Sequence, residues 1–540
     1  MGRGDASLER VRTFVERHRP VLDTPGLALA LTDRERTLGV VLDGLANVDA
    51  GTPVGSEHRF QIGSISKGFT VMALLQEREG GRLDLNAPVT EYLPWFEVRS
   101  AFGPITVHHL LSHTAGIVCG MDSTGEAAHE VWSLRETHTG WAPGERFLYS
   151  NVGYKALGLV LEAVAGRPWW KVVRERVTEP IGIGDVDVVI TNAARHRLAV
   201  GYTSPFDDRP WQPRHGWAPS AWFESATADG TICATADELA AYARLLLNRG
   251  EGVLSEGSFA LMTRPVAGDP DAPGEMFGYG LKWVPQDGGP RLLGHSGGMI
   301  GFTAYLLVEP EAGIGVTVLM NSAFGRRLDL ARFALACLGA EAGGAPLPDV
   351  PEPPDRASVP DASTFAGRFV DELGSANVLA EGDRLFLDEG DGRRAALLPI
   401  AEGRFAVDDP ERDRHVLEVV WMGGAPVAVH WGPRSLRPPG AHATAGEVPA
   451  EWRALAGRYR SWNPWAPGFE VFARGDGLRL ELLGDAVDLE GSQPLVPDAD
   501  GSFVVGERPS PSRIRFDTPI DGRPTRAIFD AASFYRTAGP

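Results

Sequence analysis

The alternation of apolar and polar positions divides the chain into helical and strand-like stretches. Residues 8 to 18 place Leu8, Val11, Phe14 and Val15 on one side, the spacing of an amphipathic helix. Two strand-like runs follow, Leu27 to Leu31 and Leu38 to Leu42, joined across the polar turn Thr32 to Arg36. A second hairpin comes much later, Phe302 to Val308 and Ile314 to Met320, joined through Glu309 to Gly313. A helix over about Leu328 to Leu338 comes next. Helices and strands at both ends of this region, with a helical middle, predict one α/β domain over residues 1–338. Its antiparallel sheet would be assembled from distant parts of the chain.

From Gly339 the pattern stops. The stretch GAEAGGAPLPDVPEPPDRASVP is rich in Pro, Gly and Ala, and residues 339–363 read as a linker. Beyond it the sequence is strand-like and repeats. Phe365-Ala366-Gly367-Arg368-Phe369 is echoed by Leu455-Ala456-Gly457-Arg458-Tyr459. The strands Arg384 to Leu387 and Leu478 to Leu482 correspond, as do Gly403 to Val407 and Gly501 to Val505. Short alternating strands between turn signals predict two small antiparallel β-barrels, 364–441 and 450–540, with His442 to Pro449 as the joint.

A length of 540 residues agrees with several domains. The formal net charge of −19 has no long acidic run behind it and argues against nucleic-acid and anionic-membrane partners. The first twenty residues hold no apolar signal-peptide core, and no stretch has the length of a membrane span. Cys119, Cys233 and Cys337 have neither disulfide-framework nor zinc spacing and read as reduced cysteines. These features together predict a cytoplasmic protein. They leave the oligomeric state open.

Three short motifs could carry chemistry. Ser64-Ile65-Ser66-Lys67 follows the strand-like Arg59 to Ile62 and opens an apolar helix running to about Glu79. Residues three apart share a helix face, so Ser64 and Lys67 would meet. A serine hydroxyl needs a base, and a lysine serves when burial or nearby positive charge lowers its pKa. The plainer alternative is a capping serine beside an exposed lysine. Tyr149-Ser150-Asn151 precedes a second apolar helix, Gly153 to Val164. A tyrosine there could pass a proton and an asparagine could bind a substrate amide, while Ser150 or Asn151 could also cap the helix. His295-Ser296-Gly297-Gly298 leads into the second hairpin. On an edge strand its backbone could pair with a peptide-like substrate, and its glycines would allow close approach. Alone it is also a glycine-rich turn.

The order and spacing of these motifs resemble the serine β-lactamase and penicillin-binding-protein superfamily, in its class C β-lactamase and D-aminopeptidase branch. The resemblance covers residues 1 to about 338. It includes Ile105 to Gly116, Phe277 to Trp283 and Ala234 to Leu239, which look structural. It implies a mixed α/β domain beside a helical lobe, with the site between them. It also implies acyl transfer through Ser64 without metal or cofactor. Lys67 and Tyr149 would be catalytic, and Asn151, His295, Ser296 and Gly297 would bind substrate. The backbone N–H groups of Ser64 and Gly298 would form the oxyanion hole.

One departure stands at His295, where β-lactamases of this branch carry lysine. A histidine holds a weaker, pH-dependent charge, a poor partner for a β-lactam carboxylate. Together with the two barrels, this favours a D-aminopeptidase or esterase type over a true β-lactamase. His109 and His113 have metal spacing only if their helix continues, and the following Gly116 argues against zinc. Trp211, Trp217 and Trp222 read as a lid, a pocket wall or loop anchors. Glu224 and Asp229 could contact a substrate amine, although nothing in the sequence requires it. The expected activity is hydrolysis of a small amide, peptide or ester through a Ser64 acyl-enzyme. An acyltransferase using the same residues and a non-catalytic sensor of peptidoglycan-type ligands are the rivals. The barrels would shape access to the site, stabilise the first domain or mediate oligomers.

Overall fold

The computed structural model describes residues 4–537 except 123, 287, 288, 290, 442–447, 476 and 485–490. Most of the expected joint, His442 to Pro449, lies outside the described residues. The chain forms two compact units, one of residues 1–203 and 218–353, the other of residues 204–217 and 354–540.

The first unit is built on a nine-stranded antiparallel sheet. Its strands are β1 (Gly26–Asp33), β2 (Thr37–Asn47), β3 (Thr52–Pro53), β4 (Ala267–Gly268), β5 (Met276–Phe277), β6 (Lys282–Val284), β7 (Leu292–Met299), β8 (Phe302–Glu309) and β9 (Ile314–Met320). Their order is β3-β2-β1-β9-β8-β7-β6-β5-β4. The first hairpin therefore pairs with the last, Leu27 opposite Met320 and Leu31 opposite Val316.

Helices of this unit include α1 (Asp5–His18), α2 (Ser66–Glu79), α3 (Val107–Leu111), α4 (Asn151–Ala165), α5 (Ala236–Leu247) and α6 (Arg327–Ala342). The sequence of β1 explains how they pack. Alternate residues of a strand face opposite sides of the sheet. Leu27, Leu29 and Leu31 join Val11, Phe14 and Val15 of α1 and Leu330 and Leu335 of α6 in one core. Burying each leucine stabilises the fold by about 1.5–3 kcal/mol. Ala28 and Ala30 face the other side, where α5 packs and Thr317 Oγ donates to the Ala236 carbonyl at 3.3 Å. The small alanines let that helix lie close to the sheet.

The Pro-rich stretch is held rather than free. Gly339 to Ala342 continue α6. Arg10 and Arg17 of α1 donate to the carbonyls of Pro348 and Val350, each at 2.9 Å. In the second unit, Val359 is buried and its N–H bonds the Asp383 carbonyl at 2.8 Å.

That second unit contains two eight-stranded antiparallel sheets. One runs from Gly367–Asp371 to Arg434–Leu436. Its ends meet through mutual Val370 and Arg437 backbone bonds of 2.7 and 3.0 Å. The other, from Gly457–Arg460 to Ala532–Arg536, is a closed barrel. The echoed Phe369 and Tyr459 occupy matching first strands, and both are buried. Residues 204–217 also belong to this unit. Arg209, Arg214 and His215 surround the buried Asp413, with Arg209 Nη1 to Oδ1 at 2.8 Å.

Candidate active site

A short backbone pair, Phe60–Gln61 with Cys233–Ala234, leads the chain into the site. Gly63 turns it with a positive φ of 54°. A Cβ there would lie 2.6 Å from the Gly298 nitrogen, so only glycine lets β7 come this close to the serine. Residues 63–65 form one 3-10 turn before α2 begins at Ser66. Ser64 thus stands just ahead of the α-helix and remains half-exposed.

Lys67 is fully buried on the first turn of α2. Its Nζ lies 3.0 Å from Ser64 Oγ, 2.8 Å from Asn151 Oδ1 and 2.9 Å from the main-chain oxygen of Asp229. Asn151 and Asp229 can only accept at those atoms. They fix two amine protons, so the remaining tetrahedral direction of Nζ points at Ser64. In the neutral amine that direction is the lone pair. Burial lowers the Lys67 pKa to about 8, although the charge of Asp229 opposes the shift.

Tyr149 flanks the amine, with Lys67 Nζ 4.9 Å from its ring centroid. Its hydroxyl is buried without a full hydrogen bond among the described residues. Burial raises the phenol pKa well above its ordinary value, and the adjacent Ser64 hydroxyl opposes this. Ser150 caps α4, accepting from the Gly153 N–H at 3.1 Å and donating to the Val118 carbonyl at 2.8 Å. Asn151, the first residue of α4, binds Lys67. The helix cap and the Lys67 contact are thus divided between two adjacent residues.

His113 holds Tyr149 from behind. Its ring stacks on the tyrosine at 4.2 Å, and its Nδ1 accepts the Ser150 N–H at 3.0 Å. It adopts a left-handed backbone with φ of 56°, beyond the end of α3. His109 instead caps α3, its Nδ1 accepting the Thr106 N–H at 3.1 Å. The two histidines do not share a helix. No group of His, Cys, Asp and Glu with a metal-holding arrangement occurs among the described residues.

The strand β7 pairs with β6 only as far as Gly294, while its ladder with β8 continues to Met299. His295 to Met299 therefore form a local edge. Gly297 backs onto Ile62, where a Cβ would lie 1.9 Å from the carbonyl oxygen. Gly298 is exposed, and a Cβ there would meet nothing within 4 Å.

His295 differs from the sequence expectation of a pH-dependent charge. It is 3% exposed and packs edge-on to Phe277 at 5.9 Å. Burial, reinforced by the charge of Lys282, lowers its pKa to about 3. The ring is neutral at ordinary pH. Its Nδ1 lies 2.6 Å from the Ser296 carbonyl, which can only accept, so Nδ1 carries the proton and Nε2 is a bare acceptor.

The remaining candidates separate. Trp211 and Trp217 stack on each other at 4.8 Å within the second unit. Trp222 donates to Asn192 Oδ1 at 2.8 Å, and Glu224 accepts the Asn192 N–H at 2.6 Å. Asp229 lies beside Lys67. Sequence reasoning weighed His113 only as a metal ligand beside His109 and missed its place behind Tyr149, and it gave Cys119 no place near the site. Cys119 is exposed, and its carbonyl accepts the Asn151 N–H at 2.9 Å.

Residues 12–339 match the family model named Beta-lactamase. The chain belongs to the beta-lactamase family of serine hydrolases and penicillin-binding-protein homologues. It is 30% identical to penicillin-binding protein 4 of Amycolatopsis lactamdurans over 368 residues, 65% of this chain and 94% of that protein. Among solved structures, the octameric penicillin-binding protein homologue from Pyrococcus abyssi aligns with TM-score 0.60 and 24% identity, covering 79% of this chain and 99% of that one. A D-stereospecific amidohydrolase from Streptomyces sp. aligns with TM-score 0.50 and 24% identity, covering 62% and 98%. These two likenesses speak for the fold. No helix among the described residues is long and apolar enough to cross a membrane.

Proposed function

We propose that the protein hydrolyses a small amide or peptide, with a D-residue compound as the leading substrate class, through an acyl-enzyme on Ser64. The observation that carries this reading is the orientation of Lys67. Two acceptors hold its amine so that the third direction meets Ser64 Oγ at 3.0 Å.

Neutral Lys67 takes the Ser64 proton as Oγ attacks the substrate carbonyl. The tetrahedral oxygen is received by the N–H groups of Ser64 and Gly298. Tyr149, whose phenol stays protonated, passes a proton to the leaving nitrogen and recovers one from Lys67. Water then attacks the acyl-enzyme by the reverse route. Asn151 keeps the amine aimed, and the open edge of β7 pairs with the substrate backbone. The proposed roles use no metal or organic cofactor. The neutral ring of His295 gives a substrate carboxylate no fixed cation, which favours amide substrates over β-lactams.

Turnover of matched D- and L-amino-acid anilides and a short ester tests the substrate class. Faster turnover of the D-anilide supports the reading. Turnover of the ester alone makes the protein an esterase, and aminolysis outpacing hydrolysis makes it an acyltransferase.

A further inference from the structure

Asp229 differs from the other unpartnered buried groups of the site, the Tyr149 hydroxyl and the Nε2 atoms of His113 and His295, in being a carboxylate. Its backbone is fixed from several directions. Thr70 Oγ donates to the Ala228 carbonyl at 2.9 Å, Lys67 Nζ to the Asp229 carbonyl at 2.9 Å, and the Ile232 N–H to Ser66 Oγ at 3.2 Å. The side chain is only 7% exposed. Yet its Oδ1 is enclosed with no hydrogen-bond partner among the described residues. Buried carboxylates are ordinarily paired or hydrogen-bonded, because removal from water disfavours the charge.

The nearby acids do not share this condition. Asp122 is ion-paired with the buried Lys155. Glu130 accepts the Thr124 N–H at 2.8 Å and lies 3.9 Å from the same lysine. Lys155 is therefore engaged by two carboxylates already. Lys67 directs its protons to Asn151, to Ser64 and to the backbone of Asp229 rather than to its carboxylate. The charge of Asp229 nevertheless reaches the reaction centre, since it opposes the effect of burial on Lys67.

Around the site Asp122, Glu130, Glu275 and Asp229 stand against Lys155, Lys67 and the Glu275-paired Lys282, while burial lowers the Lys67 pKa and raises that of Asp122. His295 adds an unprotonated, unpartnered Nε2 rather than a cation. This surrounding suits a hydrogen-bond donor of positive charge and repels a carboxylate.

We propose that the unpartnered carboxylate of Asp229, fixed beside Lys67, is the subsite that receives a free ammonium group on the acyl part of the substrate. The inference rests on the amide-hydrolase reading above and refines it to an aminopeptidase-like one. The α-ammonium of an amino-acid amide lies one bond beyond the carbon next to the attacked carbonyl. The Asp229 carbonyl holds the Lys67 amine at 2.9 Å, so its carboxylate belongs to a residue in direct contact with the reaction centre.

The test compares D-alanine p-nitroanilide with its N-acetyl and N-succinyl derivatives, in the full-length wild type and in Asp229→Asn. Fluorophosphonate labelling of Ser64 runs alongside. The wild type should prefer the free amine over the N-acetyl compound by about tenfold or more in kcat/KM. Asp229→Asn should lose that preference and gain relative activity on the N-succinyl compound. A wild type that labels at Ser64 but shows no preference overturns this inference and leaves the hydrolase reading standing. So does an Asp229→Asn protein that keeps the preference within about threefold. The wild-type comparison needs no variant, so misfolding of Asp229→Asn would not rescue the proposal. Absence of Ser64 labelling removes the hydrolase reading and this inference with it.

Discussion

Asn151 Oδ1 accepts from Lys67 Nζ at 2.8 Å, so the first residue of one helix sets the aim of an amine on another. In the proposed mechanism this contact makes Asn151 a positioning residue for the base. Asn151→Ala should lower kcat by about 10- to 100-fold with a smaller change in KM. Asn151→Asp places a carboxylate against Lys67, raises its pKa and moves the acid limb to higher pH. A rise in KM alone, with the limb unmoved, would assign Asn151 to substrate binding.

The pH profile follows from Lys67 itself. Its pKa is lowered to about 8, and in the proposed mechanism the neutral form is the base. Activity should therefore be lost as pH falls through about 8, with kcat/KM dropping about tenfold per unit below it. The same shift bears on stability. A depressed lysine costs the folded state where the unfolded chain would be protonated, and that cost is relieved as pH rises from about 8 towards the unfolded value of 10.5. Lys67→Arg should be inactive at every pH, because a guanidinium keeps its proton. A profile flat from about pH 6 to 9 would remove Lys67 as the base.

His295 should behave as a buried neutral ring. With its pKa near 3, it adds no inflection between pH 5 and 8. His295→Lys would place a further cation among Lys67, Lys282 and Phe277. It should destabilise the protein by about 3 kcal/mol in urea unfolding, as an unpaired buried charge does. It should also shift the acid limb downward, since a second positive charge disfavours protonated Lys67. Unchanged stability would show that the ring sits in a site open to water.

Two adjacent glycines separate folding from function. A methyl at Gly297 would strike the Ile62 carbonyl at 1.9 Å, and that oxygen is backbone. Gly297→Ala should lower the melting temperature, by at most about 2–4 °C per kcal/mol, the shift of a domain of roughly 150–250 residues. A methyl at Gly298 meets nothing within 4 Å and projects from the open edge of β7. Gly298→Ala should melt like wild type and lose activity on bulky substrates first. Thermal melts and a substrate-size series check both, and the reversed pattern would refute the register of β7 against Ile62.

Much of this was legible in the sequence where the signal is local. The alternation of Leu27, Leu29 and Leu31 marks β1, and the 302–320 hairpin is bounded by its own turn. Ser64 and Lys67 meet because three residues make nearly one helical turn. The repeated Ala-Gly-Arg-aromatic motif located the two barrel sheets, whose first strands bury Phe369 and Tyr459. What was not legible depends on contacts between distant segments. The neutrality of His295 comes from burial beneath Phe277, which lies 18 positions earlier. Residues 204–217 interrupt the hydrolase sequence yet belong with the barrel sheets, because Arg209, Arg214 and His215 converge on Asp413. The isolation of the Asp229 carboxylate appears only when Asp122 and Glu130 are seen to engage Lys155.

The central claim is that Ser64 is the acylated nucleophile. Incubation with a fluorophosphonate, followed by intact mass and peptide mapping, tests it most directly. The account predicts one adduct per chain, located on Ser64, absent in Ser64→Ala and abolished together with turnover. An adduct on another residue, or a Ser64→Ala protein with activity within about tenfold of wild type, would contradict it.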